Sequence, residues 1–369
     1  MRAGGAAPGA RSGGFPRVAF DAGPLLDPPT GVGRYARELA RTLEAVGVDV
    51  RRFAVAWRGA RDASIARWRV PARVAQAVWR RAGRPAIARL TGPVDVVHGT
   101  NFTLPALGEA PGVVTVHDLS YLRDDTWPGG HRLRTLVPDA IRRAACVVVP
   151  TEAIAADVAR RYSVARDRLV VAWEGVSPAF YGAAPLADGA LARLGVARPY
   201  VVAVGTIEPR KNLARLLRAW EGATGRELGG WTLVLAGPAG WGPALPRTPG
   251  VVPVGWVGDE TLPGLLAAAE VFCYPSLYEG FGLPPLEAMA AGTPALVGRY
   301  SAAEEVVGDA ALLVSPTDVD GMGDGLVRLA RDEALRRRLT RAGRARAAGF
   351  TWERTALATR EAYEEAMQS

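Results

Sequence analysis

Val271-Phe272-Cys273-Tyr274-Pro275-Ser276-Leu277-Tyr278-Glu279-Gly280-Phe281-Gly282-Leu283-Pro284-Pro285-Leu286-Glu287-Ala288-Met289 is the run on which the fold turns. Four apolar residues make a short strand covered on both faces. Gly280 and Gly282 let the backbone approach a ligand, and Pro284 and Pro285 pre-set the first turn of a helix. A strand, a glycine-rich loop and a helix in that order are half of a βαβ unit. The helix start points N–H groups and a positive dipole end beyond the strand. Glu279 lies in the loop and Glu287 one turn into the helix. Ionised carboxylates only accept hydrogen bonds, so each suits a vicinal diol, one on a sugar and one on a ribose. The plainer reading makes Glu287 a dipole partner and Glu279 a loop surface residue.

Upstream, Tyr200–Gly205 reads as a strand running into Thr206-Ile207-Glu208-Pro209-Arg210-Lys211-Asn212-Leu213. A helix then opens with Leu213, Leu216, Leu217 and Trp220 on one face. Arg210 and Lys211 therefore sit between a strand end and a helix start, where a pyrophosphate is held by fixed cations and free amides. A solvated Arg-Lys pair is the alternative.

Similar apolar runs recur along the chain. In the first half they are Arg17–Asp21, Asp49–Val55, Val94–His98, Val113–His117, Cys146–Pro150 and Leu169–Ala172. In the second half they are Tyr200–Gly205, Thr232–Ala236, Val251–Val254, Val271–Tyr274, Ala295–Val297 and Ala311–Val314. Helical patterns alternate with them, so the expected class is α/β, with two doubly wound Rossmann-like domains facing across a cleft. Ligands in such sheets bind beyond the carboxyl ends of the strands. The expected boundaries are a disordered tail at 1–14, a first domain at 15–180, a linker at 181–198 rich in Pro and Gly, a second domain at 199–350, and a closing helix at 351–369.

The 369 residues, 49% hydrophobic, are enough for two cores. Net charge is +8, mostly arginine. Arginine-rich codon usage explains that as simply as an anionic substrate or membrane does. Cys146 and Cys273 lie in apolar runs, so neither a disulfide framework nor a zinc site is expected. No apolar run reaches the ~20 residues of a membrane span, and the N-terminus lacks a secretory h-region. His98, His117 and His131 have no metal-ligand spacing. Asp318-Val319-Asp320 matches a metal-binding D-x-D, but helix N-capping explains it better. Gly31-Val32-Gly33-Arg34-Tyr35-Ala36 matches a dinucleotide fingerprint, yet Ala22–Thr30 separates it from the preceding strand. An oxidoreductase with a nucleotide cofactor and a non-catalytic sugar- or nucleotide-binding module are the rival classes. Nucleic-acid binding has no motif behind it.

Glu-Pro-Arg-Lys-Asn-Leu at 208–213 and Glu-Gly-Phe-Gly-Leu-Pro-Pro-Leu-Glu-Ala-Met-Ala-Ala-Gly-Thr-Pro at 279–294 resemble the donor half of the family-four retaining glycosyltransferases of GT-B fold. The look of the subgroup is that of bacterial mannosyltransferase-like polysaccharide-assembly enzymes. Glu304–Val314 resembles the segment that follows in that family. Thr30–Tyr35 resembles its Gly-rich loop on the acceptor side, His98–Phe102 and Val116–Ser120 resemble two more of its cleft loops, and the closing helix resembles the one that crosses back onto the first domain. The resemblance implies that Arg210 and Lys211 bind the donor diphosphate and that Glu287 binds the ribose. It places Glu279, with amides near Phe281, Gly282 and Leu283, on the donor sugar, and His117 next to the reacting carbon. Gly31 and Gly33 would approach the phosphates, Thr206 would lie at the strand end, and Trp256 and Val257 would contact the base. Arg34, Tyr35, Asn101 and Asp118 fall on the acceptor side. Many members carry an Arg where this chain has Thr206, and a Pro where it has Glu304.

The implied reaction moves a hexose, mannose favoured, from a nucleotide-diphosphate sugar to a glycan or lipid-linked acceptor, with no metal and no cofactor. Cell-surface polysaccharide or glycolipid synthesis in the cytoplasm is the expected setting. Between Trp57 and Arg89 there is one acid, Asp62, among nine arginines. If Pro71–Ala82 is helical, Trp68, Ala72, Ala75 and Trp79 share a face flanked by Arg69, Arg73 and Arg80. An anionic membrane surface is one partner for such a segment, which would place the chain peripherally on the inner face of the plasma membrane. A Trp-anchored helix packed on its own sheet is the plainer reading.

Overall fold

The structure is a computed structural model that describes residues 15–26, 30–59, 62–123, 130–225 and 227–369. The tail expected at 1–14 lies outside the described residues. Strands and helices alternate as the apolar runs require. β1 (Arg17–Asp21), α1 (Gly31–Ala45), β2 (Asp49–Val55), β3 (Ala66–Trp68), α2 (Ala72–Ala82), α3 (Ala88–Thr91), β4 (Val96–Gly99) and β5 (Gly112–Thr115) come first. They are followed by α4 (Gly130–Arg143), β6 (Cys146–Val149), α5 (Glu152–Tyr162), β7 (Leu169–Val171) and α6 (Asp188–Arg193). The next group is β8 (Tyr200–Val204), α7 (Leu213–Thr224), β9 (Thr232–Ala236), β10 (Val251–Gly255), α8 (Leu262–Ala268), β11 (Val271–Tyr274) and α9 (Leu283–Ala291). β12 (Ala295–Gly298), α10 (Ala303–Val307), β13 (Leu312–Val314), α11 (Val319–Arg331), α12 (Glu333–Ala347) and α13 (Trp352–Gln368) close the chain. The expected strands all form, with ends displaced by one or two residues. β3 was not expected, because three residues carry no readable period.

Contacts divide the chain into two discontinuous units. The first holds 1–115, 136–148 and 356–369, and the second holds 116–135 and 149–355. The division therefore does not follow the expected blocks. The segment expected as a linker is built into the second unit: Leu191 and Val196 are buried, and Tyr181 Oη donates to Ala347 O at 2.8 Å. From Ala356 onward α13 belongs to the first unit.

In the first unit the strands run parallel in the order β3-β2-β1-β4-β5-β6. Ala19, Phe53, Ile87 and Val97 form a core there, with Val55 and Trp68 packed against it. A buried polar chain crosses this unit. Tyr363 Oη meets His98 Nδ1 at 2.7 Å, His98 Nε2 meets Thr115 Oγ1 at 2.8 Å, and Tyr35 Oη meets the same Thr115 Oγ1 at 3.1 Å. In the second unit the order is β10-β9-β8-β11-β12-β13, again parallel. Its core includes Leu213, Leu216, Leu217 and Trp220 of α7, the face expected from their spacing. Thr30, Thr151 and Asp318 N-cap α1, α5 and α11 through their side chains, so Asp318 is a cap as expected. Both cysteines are buried and neither is in a disulfide. Among the described residues no helix is long and apolar enough to cross a membrane.

Candidate functional site

Strand order reverses between β8 and β11 in the second unit, and a doubly wound sheet opens a crevice at such a point. The two sequence signals lie on the loops that follow those strands. Asn212 locks the loops together. It holds a left-handed backbone at φ 59°, which Asn tolerates better than most residues. Its buried Nδ2 donates to Pro275 O at 3.0 Å and to Pro316 O at 2.6 Å. Leu277 N donates to Arg210 O at 2.9 Å, a second tie between the loops. The turn Pro209–Lys211 is thereby set against the loop after β11.

Arg210 and Lys211 converge there on Glu279. Lys211 Nζ donates to Glu279 Oε1 at 2.7 Å and to Tyr274 Oη at 2.8 Å, and lies 4.9 Å from the Tyr274 ring centroid. Arg210 Nη1 bonds Glu279 Oε2 and reaches Tyr278 O at 3.2 Å. Its Nη2 and Nε donate to Glu208 Oε1 at 2.8 and 3.1 Å. Two positive charges are thus matched by two carboxylates, so the site is not the bare positive wall that the sequence suggested. Burial pushes the Glu279 carboxyl up, but Arg210 and Lys211 more than reverse that and hold it at about 2. Burial lowers Lys211, with Glu279 acting against it. Burial would lower Arg210 too, but Glu279, Asp118 and Glu208 raise it instead. Both glutamates of the motif are buried, which removes the surface reading of Glu279.

Glycine is required at two loop positions. A Cβ on Gly280 would lie 1.8 Å from His117 O, and one on Gly282, at φ 105°, would lie 2.2 Å from Tyr300 Oη. The loop after β5 therefore packs directly on the loop after β11, bringing His117 and Asp118 to the cluster. His117 Nδ1 is 3.8 Å from Glu174 Oε1, and Asp118 Oδ1 accepts from Ser120 N at 2.9 Å. Gly282 precedes α9 with no side-chain cap, leaving that helix start to the backbone amides. Pro284 and Pro285 carry no N–H, so the donors are those of Phe281, Gly282 and Leu283. Ser276 Oγ is buried with no hydrogen-bond partner among the described residues. Ser276 lines a cavity of about 10 Å³ with Lys211, Tyr274 and Gly205, room for about one water.

The remaining expected site residues lie elsewhere. Thr206 follows β8 directly, against Gly240, while Trp256 is exposed at the end of β10, two strands away, with Val257 half-buried beside it. Gly31, Gly33, Arg34, Tyr35 and Asn101 belong to the first unit. Gly33 packs under Pro24 O, where its Cβ would lie 3.0 Å away. Tyr35 is a correction: its ring is buried in the core of that unit and its hydroxyl serves Thr115, so it is not an acceptor contact. Asn101 sits at the end of β4, where this sheet reverses, next to Phe102 at φ 62°. Its Oδ1 is buried without a partner among the described residues.

Sequence reasoning gave no role to Glu208, Tyr274, Asn212, Glu174 or Asp21. Glu208 and Asn212 stood inside the motif already quoted. Asp21 ends β1 at the same reversal in the first unit, and burial pushes its carboxyl up to about 6. Among the described residues no three His, Cys, Asp or Glu side chains gather as a metal site needs.

Two family models match the chain: Glycosyltransferase Family 4 over residues 29–180 and Glycosyl transferases group 1 over residues 198–332. The O-antigen chain mannosyltransferase B of Escherichia coli is 32% identical over 285 residues, which cover 73% of this chain and 74% of that protein. Among solved structures, a sucrose-phosphate synthase from Thermosynechococcus elongatus superposes with a TM-score of 0.74 at 22% identity, over 95% of this chain and 98% of that one. An Anabaena protein, HepE, solved in complex with UDP-glucose, superposes with a TM-score of 0.69 at 18% identity, over 93% and 98%. The matched family models, the O-antigen mannosyltransferase relative and the two parallel sheets agree: this chain belongs to glycosyltransferase family 4 and is a glycosyltransferase of GT-B fold.

Proposed function

We propose that this glycosyltransferase moves a hexose, mannose favoured, from a nucleoside-diphosphate sugar to a glycan or lipid-linked acceptor, with retention and without a metal or cofactor. The setting is cytoplasmic synthesis of cell-surface polysaccharide or glycolipid. The observation that carries the reading is the convergence of Arg210 and Lys211 on Glu279 where the second sheet reverses, beside the uncapped start of α9. The mannosyltransferase relative supports the sugar, and the UDP-glucose complex of the structural neighbour supports the donor class.

Breaking the bond from the anomeric carbon to the diphosphate leaves positive charge on the sugar and negative charge on the phosphate. Arg210 and Lys211 are already oriented by Glu208, Tyr274 and Glu279, so they meet that negative charge with little reorganisation. The amides of Phe281, Gly282 and Leu283 add uncharged donors. Glu279 uses one oxygen on each cation, and its remaining lone pairs accept hydroxyls of the transferred sugar. Glu287 takes the ribose diol, Trp256 and Val257 the base, and Thr206 the strand end beside the phosphates. Gly31 and Gly33 leave room at the phosphates, while Arg34, Asn101 and Asp118 serve the acceptor. His117 lies beside the reacting carbon. The acceptor oxygen bonds that carbon on the face the phosphate leaves, and its proton passes to the departing phosphate oxygen.

Hydrolysis and transfer from GDP-mannose, UDP-glucose and ADP-glucose, each with and without EDTA, test this directly. Activity should survive EDTA, and the product should keep the donor's anomeric configuration by NMR. Lys211→Ala should lower turnover by ~10²–10³. A folded Lys211→Ala protein with near-normal turnover would count decisively against the assignment. The rival oxidoreductase is disfavoured by local geometry: Ala22–Thr30 separates β1 from α1, so the glycines of α1 form no strand-to-helix phosphate turn.

A further inference from the structure

The arginine-rich segment of the first unit carries a feature that transfer chemistry does not use. The tryptophans face inward, as the plainer reading of the segment has it. Trp79 and Ala75 of α2 pack into the unit with Ala106, the Trp79 and Trp68 rings lie 6.5 Å apart, and Trp79 Nε1 donates to Pro85 O at 3.1 Å. A second apolar stripe lies about 100° round the same helix and is exposed. Val74 is 55% exposed and Val78 43%, one turn apart, with Val70 at 38% just before the helix and Trp57 at 64%. These are four of the ten large apolar side chains exposed among the described residues, all within 22 positions. β2 pairs β3 with Val55 opposite Trp68, and that register, carried past the strand ends, brings the chain at Trp57 alongside Val70. The exposed apolar row is Trp57 and Val70, just past the ends of β2 and the edge strand β3, with Val74 and Val78 on α2.

Cations border this row. Arg58, Arg69, Arg73, Arg80, Arg81 and Arg84 are all exposed, and none has a carboxylate partner among the described residues. Elsewhere many exposed arginines are paired, such as Arg41 with Glu38 and Arg142 with Asp139. We infer that the outer face of α2, with Trp57 and Val70 at its start, is a docking surface for an anionic lipid bilayer. A polyanion would neutralise the arginines but leave the valines and Trp57 in water. A bilayer of anionic lipid takes both, headgroups on the cations and acyl boundary on the apolar row. The inference stands independently of the donor assignment.

The test is sedimentation of the full chain with phosphatidylcholine vesicles, with and without about 30% phosphatidylglycerol. Partitioning is expected only into the anionic vesicles at about 50 mM salt, and at least about tenfold weaker at about 500 mM. Arg73→Glu/Arg80→Glu/Arg81→Glu should weaken it by at least about tenfold. Val74→Asp/Val78→Asp should weaken it several-fold. Donor hydrolysis should be unchanged in both variants, which shows that they remain folded. No partitioning of the unaltered chain into anionic vesicles at low salt overturns the inference. So does full retention by the valine variant, since that leaves a general polyanion site of the kind a nucleic acid or an acidic protein would use.

Discussion

Glu279 holds two half-buried cations with one buried carboxylate, and its titration should be visible in the stability of the whole chain. Its folded value of about 2 lies below the ordinary 4.5. A group depressed in this way stabilises the fold fully above about 4.5 and loses that contribution as pH falls through about 2. The interval is worth about 3 kcal/mol as an upper figure. Urea unfolding between about pH 5 and pH 2 should therefore show a steeper loss of stability in the unaltered chain than in Glu279→Gln. Equal slopes would place the carboxylate outside this pairing. The variant should also be less stable near neutrality, because Lys211 and Arg210 each lose the charge of a carboxylate partner. The sequence identified Glu279, Arg210 and Lys211 as chemical groups. It left open that they bind one another, because residues some seventy positions apart meet only through the sheet.

Among the elements, the loop after β8 shows how a short motif divides its labour. Arg210 and Lys211 carry charge, Glu208 steadies Arg210, and Asn212 holds the turn in place. Asn212→Ala should cost about 2–4 kcal/mol, from two lost hydrogen bonds at buried carbonyls and a strained left-handed backbone. Asn212→Gly should recover about 1 kcal/mol of that by relieving the backbone. Neither variant restores the tie to Pro275 and Pro316, so donor hydrolysis should fall more than about tenfold in both. Thermal melts and initial rates measure the two effects separately, and full activity in Asn212→Gly would show that the tie is dispensable. Helix α2 is the opposite case, one in which its span was legible and its orientation was not. Ala75 and Trp79 mark one apolar stripe and Val74 and Val78 another, so spacing alone does not say which faces the sheet. The larger Trp79 wins the buried side because it fills the space against Trp68 and Ala106.

On the scale of the whole molecule, each unit is assembled from separated stretches of chain. The chain leaves the first unit after Thr115, returns at Leu136, leaves again after Val148, and returns for the last time at Ala356. The final return is fastened by the polar chain from Tyr363 through His98 and Thr115 to Tyr35. Tyr363→Phe removes the hydroxyl that meets His98 Nδ1 in the buried chain. It should cost about 1–3 kcal/mol by urea titration and speed hydrogen exchange in α13. Unchanged exchange would mean that apolar packing alone holds the helix. Reading the chain as consecutive blocks misses this construction, and with it the assignment of 149–180 to the second unit.

The sequence by itself determined the fold class and the positions of nearly all the strands, and its resemblance to a known family supplied the transferase class. Those properties are local: apolar period, glycine and proline at fixed offsets, and charged residues placed just past a strand end. Tertiary structure alone decided that the cations are held by carboxylates, that Tyr35 is a core residue, that α2 turns its tryptophan inward and its valines out, and where the chain divides into units. Each of these depends on which surfaces meet at long separation, where burial, hydrogen-bond pairing and packing volume select one partner among several that the sequence permits.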